Sequence, residues 1–469
     1  MKQRFLIYPA ISAIAIVISI FFFLPWLALI AFVPLLLALE NTNHKQTLAT
    51  AGIFSSVLGS FILSWMLLSN IPSVDNLLYS FLGMLLSVTY FIIAITVVFL
   101  IWNRLTKSIF SCKSILILAT LFTLFEFIYD QLFNTLPWYS FHFGNPLIGS
   151  IYTIQLAEIG GIYILTFSVL LINGFAAYGI KQHKQLGVAS MVIGLFFTAN
   201  FLLYNIRSVK ATPNTEVKIN ILTPNIKQAV NTRNTIELMP TDLTNWTQAL
   251  NHQENNYKII NSAYIVNPIE TVSDINVNVY LKIIEEEEET QSEIKNQQPN
   301  HSFIVKPENK SNLTETNKDI DGIFIFNEAI IAPTAAQLVQ AGAPFLVSIN
   351  NDNWLKDAYI TRLFFYYNSL RAVENRRDIA IKSNFGYTGK ASSNGETHLI
   401  NNQNTSVPTP ITIIKNSETT LYSQYPFAFI LFCKLLFVVV AFLILIKSGL
   451  KFKSLKKLKE QPVFEVFEN

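Results

Sequence analysis

Val217-Lys218-Ile219-Asn220-Ile221-Leu222-Thr223-Pro224-Asn225 divides the chain into two kinds of sequence. Val217, Ile219 and Ile221 alternate with Lys218 and Asn220, the two-residue period of a strand with one buried face, and Pro224 punctuates its end. Before this stretch lie long apolar runs with sparse ionisable residues. After it, to about residue 424, the composition is that of an ordinary soluble segment. Only 14% of the 469 residues are charged, against about 25% in soluble chains, and the deficit sits almost wholly in the first part. The 37 Phe suit a lipid-facing surface better than a compact soluble core. The net charge of +3 is too small to point to nucleic acid.

A bilayer-crossing helix needs roughly 20 mostly apolar residues. Runs of that kind predict spans near 5–23, 25–39, 47–69, 79–102, 113–133, 158–180, 186–206 and 425–447, about eight transmembrane helices, with a tight hairpin at Leu24-Pro25-Trp26. Apolar sequence continues past any cleavage site, which argues against reading 1–23 as a removed signal peptide. Lys2 and Arg4, Lys45, Arg104, Lys107 and Lys113, Lys181 and Lys184, and the tail lysines Lys447 to Lys459 fall on one side of this arrangement, whereas 70–78 and 134–150 contain no Lys or Arg. The positive-inside rule makes that side the cytoplasm, with both termini there and 209–424 outside, in the periplasm of a Gram-negative cell. The predicted divisions are a 1–208 bundle of seven spans, a 209–424 soluble domain, a final helix over 425–447 and a basic tail, 448–469.

In the soluble segment, Ala263 to Val266, Gly322 to Phe326 and Phe345 to Ile349 are strand-length apolar runs, while Ala335 to Ala341 and Ile360 to Arg377 read as helices. Buried strands followed by helical or polar sequence predict a layered α/β domain. The run Glu285 to Glu289 and the polar sequence to 320 read as a solvated loop. The only two cysteines, Cys112 and Cys433, lie in or beside apolar spans, so neither a disulfide framework nor a Cys-based zinc site is predicted. No metal or cofactor is expected. Glu126, well inside the fifth span, should face the bundle or water, with a hydrogen bond to Trp, Tyr or backbone as its use and a substrate contact as the alternative. His142, beside Trp138 and Phe141, reads as an interfacial anchor, with a lipid head-group contact as the alternative. Lys434 in the last span should snorkel or pair.

Several segments together carry a family resemblance. These are Pro137-Trp138 through Gly144-Asn145, Gln155-Leu156-Ala157-Glu158-Ile159-Gly160-Gly161 with Asn173, Ile219 to Ile226, and Gly342-Ala343 to Asn351-Asp352-Asn353-Trp354. Leu370-Arg371-Ala372-Val373-Glu374-Asn375-Arg376-Arg377, Ser383 to Thr388 and Asn394-Gly395 complete the set. In this order they resemble the apolipoprotein N-acyltransferase family across nearly the whole chain. The resemblance implies a bacterial inner-membrane protein whose soluble part is a carbon–nitrogen-hydrolase, nitrilase-like α-β-β-α domain. It also implies membrane phospholipid and lipoproteins as partners. Family members use a Glu–Lys–Cys triad: the thiolate takes an acyl chain from phospholipid as a thioester and passes it to a lipoprotein's N-terminal amine.

The triad is where this sequence departs. The family's Ile-Cys-Tyr-Glu stretch aligns with Ile325-Phe326-Asn327-Glu328, so Phe326 stands at the nucleophile position, and a phenyl ring cannot attack a carbonyl. Glu270, in Asn267-Pro268-Ile269-Glu270-Thr271, is the base equivalent or an ordinary loop carboxylate. Lys306 is the best match to the oxyanion-stabilising lysine, with Lys282 behind it; a plain solvated lysine is the other reading. Leu363-Phe364 replaces the family's Gln-His pair. The resemblance places Phe326, Asn327, Glu328, Asn351, Asp352, Trp354, Arg371 and Glu374 around the pocket, Asp352 reading more as a turn former than a catalyst. The expected function is an acyltransferase-like protein of lipoprotein or envelope biogenesis that binds lipid or lipoprotein with little or no catalysis. The alternative is an active N-acyltransferase with another nucleophile. A transporter is disfavoured, since too few spans are broken or charged.

Overall fold

A computed structural model describes residues 4–68, 77–106, 110–133, 141–207, 216–222, 258–266, 277–284, 322–325, 329–350, 358–383, 386–400 and 409–459. Among them, six helices are long and apolar enough to cross a membrane: Arg4–Phe21, His44–Leu67, Leu77–Leu105, Cys112–Leu132, Ala157–Lys181 and His183–Arg207. Pro25–Ala38 and the described apolar part of the last helix, Ala428–Leu443, are shorter.

The expected second span, 25–39, is broken. After α1 (Arg4–Phe21) come α2 (Pro25–Ala28) and α3 (Val33–Ala38), with residues 29–32 between them. Pro34 causes the break, because its ring clashes with the carbonyl four residues back and it brings no N–H. Backbone groups freed inside an apolar bundle need partners. Asn173 supplies them: Phe32 N donates to its Oδ1 at 2.9 Å, and its Nδ2 donates to Ala28 O at 2.8 Å. Ser12 Oγ accepts from Leu35 N at 2.9 Å.

Next come α4 (His44–Ile62), α5 (Trp65–Leu68), α6 (Leu77–Leu105), α7 (Cys112–Leu132), α8 (Ala157–Lys181) and α9 (Leu186–Arg207). Contacts at one end join elements distant in sequence. Arg4 donates to Glu40 O at 2.9 Å, Lys181 pairs with Glu40 at 2.9 Å, and Asn103 bonds Thr42 and Thr47. At the other end Arg207 lies 3.6 Å from Glu158 and 3.4 Å from Glu418. The 25–38 segment therefore runs back along the length of α1.

In the C-terminal half the strands are β1 (Glu216–Leu222), β2 (Lys258–Val266), β3 (Val277–Ile284), β4 (Gly322–Ile325), β5 (Leu346–Asn350), β6 (Ile379–Ser383), β7 (Thr388–Ala391), β8 (Thr397–Ile400) and β9 (Thr409–Ile414). They form one sheet of order β3-β2-β1-β9 and another of order β4-β5-β6-β7-β8. The helices are α10 (Ala332–Gln340), α11 (Ala358–Asn375), α12 (Leu421–Gln424) and α13 (Ala428–Lys459). Strands β3, β6, β7, β8 and β9 were not foreseen. The expected loop over 285–320 lies outside the described residues.

Helix α11 joins the two halves. One stripe, Ile360, Leu363, Phe364, Tyr367 and Leu370, belongs to the same apolar core as the bundle. Phe365 and Ala372 face a second core with Leu338, Leu346, Ile379 and Ile381. The Leu363-Phe364 pair is thus buried packing against the bundle.

Candidate functional site

Strands β4, β5 and β6 are parallel, with Ile325 beside Ile349 and Asn350 beside Ser383, so their C-terminal ends share one edge. Such an edge is where open α/β sheets bind ligands. The expected Phe326, Asn327, Glu328, Asn351, Asp352 and Trp354 follow β4 and β5 in sequence but lie outside the described residues, as do Glu270 and Lys306. Lys282 falls on β3, opposite Asn261. Of the expected pocket residues, Arg371 and Glu374 are described.

Both are fully buried and paired with each other on α11. Arg371 Nε donates to Ala329 O at 2.9 Å, and a second nitrogen lies 3.5 Å from Ile330 O. Its Nη1 lies 3.4 Å from Tyr422 Oη, and the guanidinium packs 5.9 Å from the Tyr367 ring centroid. A buried guanidinium is tolerated only when its fork is this fully used. Its effect is to fix the chain at Ala329–Ile330, the first described residues after β4. Burial pushes the Glu374 carboxyl up to about 7, against the pull of Arg371. Burial and the neighbouring Glu374 raise the Tyr422 phenol, whose oxygen faces Arg371 Nη1 as an acceptor.

Glu374 meets the bundle where α8 is not helical. Gly160 and Gly161 interrupt that helix, Gly161 at φ 63°, ψ −152°. A Cβ at Gly161 would stand 2.5 Å from Tyr422 Cε2 and 3.0 Å from Glu374 Oε1. The Gln155–Gly161 segment therefore lets the bundle backbone touch the soluble domain. Beside it, Arg376 Nε donates to Glu158 Oε2 at 2.7 Å, and Gln155 Nε2 donates to Asn394 O at 2.8 Å. Burial lowers the Arg376 pKa, opposed by Glu158. Burial brings Arg377 down to about 10; its Nε donates to Ala343 O at 2.8 Å. Asp378 accepts from Ser393 N and Ile414 N, each at 2.8 Å, and pairs with Lys390 at 2.6 Å, tying β9 to the other sheet.

A second polar cluster adjoins the first. Glu126, buried as expected, accepts from Phe143 N at 2.8 Å and Thr166 Oγ1 at 2.6 Å. His142 Nδ1 lies 3.1 Å from Glu126 Oε2, and its Nε2 lies 3.3 Å from Asp130 Oδ2. Tyr163 Oη donates to Asp130 at 2.7 Å. His142 is 2% exposed, so the expected interfacial anchor is instead a buried bridge between two carboxylates. Adjacent aromatics gave both readings the same signature. Asp130, Tyr163, Thr166 and Tyr422 were not singled out from sequence. Asp130 carried a signal, a second carboxylate one turn after Glu126, whereas Tyr422 carried none.

Lys434 Nζ lies 4.6 Å from the Phe127 ring centroid, and that cation–π contact is its pairing. Cys433 is buried in the last helix, and exposed Cys112 opens α7, at the end remote from His142.

Residues 12–175 match the family model for the apolipoprotein N-acyltransferase N-terminal domain. The match spans the bundle from α1 into α8 and supports the apolipoprotein N-acyltransferase family assignment, for an N-acyltransferase-like membrane protein. No curated protein matches the chain.

Proposed function

We propose, from an N-acyltransferase-like bundle as premise, that this protein acts in lipoprotein or envelope biogenesis by binding phospholipid or lipoprotein without forming an acyl-enzyme. In this reading it sits in the inner membrane with both termini cytoplasmic and a nitrilase-like domain in the periplasm, crossing the bilayer eight times. The observation that carries the proposal is Phe326 at the position of the family's thiol. Acyl transfer through a covalent intermediate needs a nucleophile beside a base, and the chain's two cysteines, Cys112 and Cys433, lie in or beside apolar spans. Glu328 has a counterpart in the family beside its cysteine, so its presence preserves a supporting role.

The test is trapping. Purified full-length protein is incubated with acyl-labelled phospholipid, and protein-bound label is sought with and without hydroxylamine. The expected result is no thioester or ester adduct. An adduct that maps to a single residue overturns the non-catalytic reading and identifies the nucleophile of an active N-acyltransferase.

A further inference from the structure

His142 links two parts of the molecule that the proposed function does not use. Its two ring nitrogens face carboxylate oxygens on α7, one turn apart, at 3.1 Å and 3.3 Å. Glu126 is fully buried, and the Asp130 side chain is 18% exposed. A neutral imidazole has one N–H, so it can donate to only one of these partners. The other contact then sets a lone pair against a carboxylate in a buried site, which is costly. The ring therefore fits this cradle as an imidazolium.

What the bridge holds is the stretch beneath the soluble domain. Phe143 N and Gly144 N are fixed through Glu126 and Thr166, the latter accepting from Gly144 N at 2.9 Å. The next residue, Asn145, accepts from Tyr367 Oη of α11 at 3.1 Å. Tyr366 of α11 packs on Phe23 with ring centroids 4.2 Å apart, and Gly149 packs against the Phe23 backbone.

We propose that His142 is a protonation-operated latch between bundle and soluble domain: charged, it fixes the Phe141–Asn145 stretch on which α11 rests, and neutral, it lets that stretch loosen. The groups facing it are Glu126 and Asp130 from α7, Tyr163 from α8, and Arg371 and Glu374 from α11. Tyr422 of α12 stands behind Arg371. Burial is the largest influence on the ring and favours the neutral form, and Arg371 adds to it. Asp130 and Glu126 together outweigh both and raise the pKa above the ordinary 6.5. Stabilisation by a group so raised is complete below its unfolded pKa and is lost as pH rises through the folded one. Raising the pH should therefore open the latch.

The experiment is hydrogen exchange on the full-length protein in nanodiscs from pH 5.5 to 9.5, corrected for intrinsic rates. Peptides covering 141–150 and 359–371 should be protected at low pH. Above the transition their opening should grow about tenfold per pH unit, the slope of one released proton. His142→Gln should abolish the transition. Asp130→Asn removes one counter-charge and should move the transition to lower pH by about a unit or more. That variant keeps the test decisive if His142→Gln does not fold. Glu374→Gln should leave the transition in place. pH-independent protection in the wild type, an unmoved transition in Asp130→Asn, or its loss in Glu374→Gln would each overturn the proposal. The readout involves no acyl transfer, so it stands or falls separately from the proposed function.

Discussion

Gly161 illustrates how much the domain junction demands of single residues. Its backbone, φ 63° and ψ −152°, is open essentially to glycine alone, and a Cβ there would overlap Tyr422. Gly161→Ala should lower stability by about 1–3 kcal/mol, read as a fall in the melting midpoint of the detergent-solubilised protein. An unchanged midpoint would mean the junction repacks freely. Arg371 is the harsher case. Arg371→Met strands the buried Glu374 and should cost about 3–5 kcal/mol, with Arg371→Met/Glu374→Leu recovering part of the loss. The pH dependence at Glu374 has a definite sign. Its folded pKa, about 7, lies above the ordinary 4.5, so its contribution is complete below pH 4.5 and is lost as pH rises to about 7. Glu374→Gln should flatten that part of a stability–pH profile. Arg371 and Glu374 could be named from the Leu370–Arg377 motif, whereas their partner Tyr422 could not, because a tyrosine in a polar connector has no distinguishing pattern. Glu270, Lys306 and the Phe326–Glu328 stretch rest on alignment alone.

Among the elements, the α2–α3 break carries a distinct prediction. One side chain, Asn173, serves both Phe32 N and Ala28 O within an apolar bundle. Asn173→Leu removes both partners, and each stranded backbone group costs roughly 1–3 kcal/mol. The melting midpoint should fall clearly, while Ser12→Ala, which strands one group, should cost less. Equal effects would show that water or a rearranged turn replaces the amide. The break was illegible in sequence, because a proline at the first turn of a new helix and one inside a continuous span sit in the same apolar context. The strands were more legible: 217–222, 263–266 and 345–349 are short apolar runs bounded by polar residues. Strand β3 has the same alternation, at Val277, Val279, Leu281 and Ile283. It went unread because a strand between two polar tracts declares itself only through its pairing with β2. Helix α11 was predicted nearly in full, yet its role as the element shared by both cores follows from packing.

At the scale of the molecule, topology and catalysis are separate questions, each with its own test. Arg4, Glu40, Asn103 and Lys181 meet at one end of the bundle, and Arg207, Glu158 and Glu418 at the other. With the basic loops at the first end, reporters active only outside the cytoplasm should be active after residue 300 and silent after residue 469. The reverse would reject the proposed orientation. Catalysis is tested by complementation of a strain depleted of its own apolipoprotein N-acyltransferase. Phe326 supplies no nucleophile, Asn327 is an amide, and an acyl group on Glu328 would be a mixed anhydride, more reactive than a thioester and open to hydrolysis. The wild-type chain should therefore fail to restore growth. Phe326→Cys should fail too. A thiol alone does not suffice without a base and an oxyanion partner, and Glu270 and Lys306 also read as an ordinary loop carboxylate and a solvated lysine. Each variant's membrane level must match wild type for the comparison to count. Rescue by the wild type refutes the non-catalytic reading. Rescue by Phe326→Cys alone has a different meaning: Glu270 and Lys306 are already held for catalysis, Arg371 already sets the exit of the nucleophile loop, and the sulfur atom was the one part missing.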